Sequence, residues 1–128
     1  MEIKSHHDLV VWQRAMDLIE GVYGLARHLP RDEQYGLISQ LKRAAVSIAT
    51  NIAEGRARSS RKDFSSFLHI SKGSLMEVEI LIQVALRLRY ATKPQTAKPL
   101  ALIDETGRML SSMLARLQQP RSSPEARS

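Results

Sequence analysis

Apolar residues return every three or four positions along almost the whole chain, and that spacing leaves few folds open. In the first segment Leu9, Trp12, Met16, Ile19, Tyr23 and Ala26 follow one another at intervals of 3, 4, 3, 4 and 3. A helix turns roughly 100° per residue, so such a series gathers on one face. This segment runs from Asp8, placed to cap its N-terminus, to Leu29, where Pro30 ends it. The second begins between Asp32 and Gly36 and ends at Gly55, a residue suited to a left-handed C-terminal cap. The third opens at Ser60, with Asp63 completing a variant of the capping box, and continues to about Tyr90 with Phe64, Leu68, Ser71, Leu75, Val78, Ile82 and Ala85 in register. The fourth starts between Thr96 and Pro99, where proline suits a first turn, and carries Leu100, Ile103, Gly107, Leu110, Leu114 and Leu117 up to Pro120. Asn-Gly and Asp-Gly turns are absent and no alternating strand pattern competes.

Four helices on short connections predict an all-α fold, an antiparallel up-down-up-down four-helix bundle. A chain of 128 residues with 43% hydrophobic content is long enough to bury its own core. Residues 1–119 are expected to form that one domain, and 120–128 a polar, disordered tail. The chain has no cysteine, so it offers no disulfide and no thiolate metal site, which favours a reducing, cytoplasmic setting. Neither a signal-peptide pattern nor an apolar run of the roughly 20 residues that span a bilayer occurs, so no membrane partner is expected.

The net charge of +6 favours an anionic partner. Most of it falls between residues 42 and 62, where Lys42, Arg43, Arg56, Arg58, Arg61 and Lys62 face one acid, Glu54. These six cations are the candidate nucleic-acid contacts. The aromatic residues Trp12, Tyr23, Tyr35, Phe64, Phe67 and Tyr90 fall mostly at core spacing. Binding by charge and shape is therefore expected in place of base stacking.

A polar stripe crosses the second segment. Gln40, Arg43, Ser47, Asn51 and Glu54 share one helical sector, opposite Leu41, Ala45, Ile48 and Ile52. Two readings apply, a solvated face or a face that meets protein groups such as Ser74 or Glu77 of the third segment. The third segment also carries a second apolar stripe at Leu81, Val84 and Leu88. It asks for cover either from a central place in the bundle or from another subunit.

Catalytic and metal constellations are poor. His6 and His7 diverge on a helix, and His28 and His69 have no ligand partner at zinc spacing. Glu77 and Glu79 point apart, and no Glu-x-x-His repeat suits a di-iron site. Gly73-Ser74 lies inside a helical pattern, where a small residue lets helices approach, so no phosphate-binding loop is expected there. No enzyme activity, cofactor or metal is expected.

Several blocks together resemble a known family. They are Leu9 with Trp12-Gln13, Pro30, Glu33, Tyr35-Gly36-Leu37, Gln40, Arg43-Ala44-Ala45, Ser47-Ile48, Asn51-Ile52-Ala53-Glu54-Gly55, and Gly73-Ser74-Leu75 with Glu77 and Glu79. The resemblance, from Leu9 to about Leu117, is to the four-helix bundle family of 23S rRNA intervening-sequence proteins. It implies a left-handed up-down bundle that assembles as a homopentamer. It also implies kinship with the accessory proteins of diversity-generating retroelements, basic pentamers that associate with nucleic acid and a reverse transcriptase. Where the family usually has proline after Ser-Ile, this chain has Ala49, which is expected to straighten the second helix. Two function classes follow: a homo-oligomer that associates with RNA or other nucleic acid, and a protein scaffold or adapter that does not touch it.

Overall fold

A computed structural model describes residues 9–119. It has four α-helices, α1 (Val10–Ala26), α2 (Leu37–Arg56), α3 (Arg61–Arg87) and α4 (Lys93–Gln118), with a 3-10 turn at Arg31–Glu33 and no strand among the described residues. The predicted cap Asp8, the pair His6 and His7, and the tail 120–128 lie outside the described residues. Each helix packs on its neighbours in sequence, and α1 packs on α4, while the diagonal pairs α1/α3 and α2/α4 make no close backbone approach. That arrangement encloses one apolar core.

The core is aliphatic. Leu18, Leu41, Ile48, Ile52, Leu68, Ile82 and Leu110 are fully buried, with Ala15, Ala45 and Ala85 among them. Aromatic residues do not enter it, contrary to their spacing. Trp12, Phe64 and Tyr90 pack against the core from its edge, and Tyr23 and Tyr35 are exposed. The α2 face that meets the interior intersperses the buried Leu37, Leu41, Ile48 and Ile52 with four small residues, Ala44, Ala45, Ala49 and Gly55. Such small residues draw helices close and leave rings only the rim.

Gly55 does not cap α2. The helix continues to Arg56, Ala57 occupies the C-cap in the right-handed region, and no glycine has positive φ. Gly55 is needed for packing, because a β-carbon there would lie 2.8 Å from Phe67 Cβ and 3.0 Å from Phe64 Cδ1. Gly73, the residue expected to permit close approach, has nothing within 4 Å of where a β-carbon would be. As the alanine at position 49 allows, α2 runs unbroken through that residue.

The helix ends depart from expectation at three further points. At the start of α1 the N-cap is Leu9, with no side-chain cap. α3 stops at Arg87 in a Schellman-type turn: Tyr90 N–H donates to Ala85 O at 2.9 Å, and Arg89 adopts φ 63°. α4 begins before the predicted range, because Thr92 and Gln95 form a full capping box. Pro99 therefore lies within α4, where its Cγ sits 3.6 Å from where a β-carbon on Gly21 would be.

One core group lacks a partner among the described residues, the fully buried Thr106 Oγ1. A buried unpaired hydroxyl costs about 1–3 kcal/mol. Thr106→Val keeps the shape and removes the cost, so it is expected to stabilise the fold by about 1 kcal/mol and raise the melting temperature by a few degrees. A lower melting temperature in calorimetry would mean that the hydroxyl is paired after all.

Candidate nucleic-acid interface

The seam between α2 and α3 is the most extensive helix pairing among the described residues, and it ties three of the polar residues singled out from sequence, Ser47, Asn51 and Ser74. The Ser47 and Ser74 hydroxyls meet at 2.8 Å across it. Asn51 Nδ2 donates to Ser47 O at 2.8 Å and to Ser47 Oγ at 3.0 Å. One turn deeper, the buried Ser71 hydroxyl donates to Ile48 O at 2.8 Å. The middle of the stripe is thus tied into protein, whereas Gln40, Arg43 and Glu54 at its ends are exposed. Glu77 is also exposed and makes no hydrogen bond or ion pair among the described residues. Sequence reasoning missed Ser71, since its place in the apolar register hid a hydroxyl that a helix carbonyl can accept.

The α2–α3 corner collects four of the six candidate cations, Arg56, Arg58, Arg61 and Lys62. Arg58 Nη2 pairs with Glu54 at 3.0 Å, and the guanidinium lies over the Phe67 ring, 4.7 Å from its centroid. Arg56 stands 5.8 Å from the Phe64 centroid. Contacts of this kind leave the charge exposed and hold the side chain in place. Arg61 is committed differently: its Nη2 donates to Arg116 O at 2.8 Å, Leu117 O at 2.9 Å and Gln119 O at 3.4 Å. It thereby caps the C-terminal carbonyls of α4, where the helix dipole favours a cation. Lys62 is exposed with no ion pair among the described residues.

Lys42 and Arg43 do not join this corner. They sit in the second turn of α2, whereas Arg56 is its last residue, a separation of about 20 Å along the axis. Lys42 Nζ instead lies 4.7 Å from the centroid of the Tyr23 ring on α1. The six cations therefore form two groups and not one patch.

The opposite end of the molecule is held by Glu33. Its Oε1 accepts from Leu37 N–H at 3.0 Å, capping α2, and its Oε2 accepts from the Tyr90 hydroxyl at 3.3 Å. Partial burial, and then the Glu33 carboxylate, push the Tyr90 hydroxyl above the usual tyrosine range. Among the described residues no three His, Asp or Glu side chains gather to hold a metal, and no helix is long and apolar enough to cross a membrane.

The comparisons with known proteins agree with this architecture. A crystal structure of a protein of unknown function from the S23 ribosomal protein family of Bacteroides thetaiotaomicron superposes with a TM-score of 0.76. It is 24% identical and covers 82% of this chain and 98% of that one. No curated protein sequence matches the chain significantly. The sequence model of the 23S rRNA-intervening sequence protein family matches residues 7–112, which takes in α1 to α3 and most of α4. The chain belongs to the 23S rRNA-intervening sequence protein family.

Proposed function

We infer that this chain is a non-enzymatic basic bundle of the cytoplasm that assembles as a closed homo-oligomer, a pentamer, and associates with RNA by charge and shape. The up-down-up-down order and left-handed twist belong to the same reading. Supporting that order, the Glu33–Tyr90 bond links the α1–α2 and α3–α4 turns at one end. The Arg61 bonds link the α2–α3 corner to the end of α4 at the other.

The observation that carries the RNA reading is the corner itself, where Arg56, Arg58, Arg61 and Lys62 stand against two acids, Glu54 and Asp63, and Arg58 alone of the four forms an ion pair among the described residues. In a ring of subunits this corner recurs around the axis, and weak contacts add through multivalency. A reverse transcriptase or another protein is the further partner this reading allows. The second reading, a scaffold or adapter without nucleic-acid contact, is favoured by the pairing of Arg58 with Glu54 and of Arg61 with α4.

Replacing Arg56, Arg58 and Lys62 together by glutamine tests the choice, with Arg61 kept because it holds α4. Fluorescence anisotropy with a labelled single-stranded RNA across a salt titration is the readout. The variant is expected to bind about tenfold more weakly in low salt, with a log–log salt slope shallower by about 2, since each phosphate contact on a single strand contributes roughly 0.7. Unchanged affinity and slope would move the scaffold reading ahead.

A further inference from the structure

We propose that the groove between α1 and α2, beside the turn that joins them, binds a nucleotide unit of single-stranded RNA. The proposal rests on the RNA reading above and assigns it a second site, distinct from the α2–α3 corner. The groove is open to solvent with a volume of about 440 Å³, and its lining includes Tyr23, Arg27, Arg31, Gln34, Ile38 and Lys42. That volume lies within the roughly 300–1,000 Å³ of small-ligand sites.

Three cations line this groove and no carboxylate does. Sequence alone hides this, because Asp32 and Glu33 follow directly on Arg31 and offset the charges of Arg27 and Arg31 in the count. In the fold neither acid lines the groove. The Glu33 carboxylate is held by Leu37 N–H and Tyr90 Oη. Asp32 does not line the groove, and neither Arg27 nor Arg31 forms an ion pair among the described residues. By contrast, two of the four corner cations, Arg58 and Arg61, already bind a carboxylate or helix carbonyls.

The chemistry that fits is a phosphate beside a flat ring. Arg27 and Arg31 are exposed and present planar guanidinium groups that grip phosphate oxygens in pairs. Tyr23 is 40% exposed, and in the free protein its ring is covered by the Lys42 ammonium at 4.7 Å. Lysine has a flexible four-carbon stem, so the ammonium can swing to a phosphate and uncover the ring for a base. The Gln34 amide, at the groove edge, offers both a donor and an acceptor to a base. A duplex would not fit this mode, because its bases are already stacked and paired.

Two variants of the full-length protein separate the parts of the claim. Both change exposed residues, and circular dichroism checks that each is folded. The probes are a labelled oligouridylate, its duplex with oligoadenylate, and inorganic polyphosphate, which has charge but no bases. Arg27→Gln with Arg31→Gln is expected to weaken oligouridylate binding about tenfold and to flatten the salt slope by about 1.4, two contacts at roughly 0.7 each. Tyr23→Leu is expected to weaken oligouridylate binding about fivefold, leaving the salt slope and polyphosphate binding unchanged. Loss of binding in the groove variants, with the corner variant equal to the parent, would support the groove and sink the corner. Full binding by the arginine variant, alongside loss in the corner variant, would overturn the groove and leave the RNA reading intact. Equal effects of Tyr23→Leu on oligouridylate and polyphosphate, or tighter binding of the duplex than of the single strand, would overturn the stacked-base mode. A parent protein that binds none of the three probes would overturn both proposals.

Discussion

Gly55→Leu is expected to lower the stability of the fold by about 3 kcal/mol, a drop in melting temperature of about 15 °C for a domain of this size. Even a β-carbon at position 55 would lie 2.8 Å from Phe67 Cβ and 3.3 Å from Phe64 O, and neither is the free end of a flexible side chain. Room can come only from displacing the first turns of α3. That displacement also moves Phe64 and Phe67 from beneath Arg56 and Arg58. Gly24→Ala is the matching control: it sits in α1 with nothing within 4 Å of its would-be β-carbon. There the helix gains about 0.5–1 kcal/mol from the lower entropy of the unfolded chain. Opposite signs for the two glycines are expected in thermal melts followed by circular dichroism. A Gly55→Leu variant that melts within about 2 °C of the parent would show that α3 yields without cost.

The same glycine marks how far the sequence was legible. Periodicity located all four helices, because a 3–4 spacing repeated along a segment has one simple structural solution. It assigned Leu41, Ile48, Ile52, Leu68, Ile82 and Leu110 to buried faces, and they are buried, but on α1 its series was one residue out of register: Val11, Ala15, Leu18, Val22 and Leu25 face the core, while Met16 and Tyr23 are exposed. Boundaries were less legible, since several signals compete at a helix end. Gly55 has the composition of a C-cap and the place of a packing residue, and only the partner helix decides between them. At the end of α3 the left-handed position is filled by Arg89, so the usual glycine signal was missing. For α4 the signal was present in Thr92 and Gln95 but was outweighed by the weight given to Pro99 as a first-turn residue. Cationic residues were legible as charge and illegible as sites: Arg61 reads like a phosphate contact until α4 ends beside it. The residues of the proposed groove least visible from sequence were Arg27 and Arg31, because Asp32 and Glu33 offset their charge in the chain yet do not line the groove.

Changing Ile80 and Leu88 together to glutamate is expected to turn the proposed homo-oligomer into monomers. The sequence placed a second apolar stripe at Leu81, Val84 and Leu88, but the fold redistributes it. Leu81 packs against the core of its own chain, while Ile70, Met76, Ile80, Val84 and Leu88 are exposed along α3, with Ile80 at 55% and Leu88 at 51%. Ile70, Ile80, Val84 and Leu88 fall within a sector of about 80° on that helix, so one flat partner can cover them together. A lone exposed apolar residue needs no explanation, but a stripe along several turns of one helix marks an interaction surface. In a closed ring each subunit meets two neighbours, so the substitution strikes every interface at once. Burying two unpaired carboxylates at each contact costs at least about 3 kcal/mol, a hundredfold in the dissociation constant. Sedimentation equilibrium at micromolar concentration is the measurement, with the parent expected near 72 kDa, five times the chain mass of 14.4 kDa, and the double variant near 14.4 kDa. Both carboxylates lie on the solvent side of α3, so the variant should keep the parent's helical content, and its monomeric state would report the interface alone. A parent that sediments as a monomer would remove the ring, and with it the multivalency on which tight RNA binding by so few cations per chain depends. A double variant that stays oligomeric would instead place the interface on another face and leave the α3 stripe without a role.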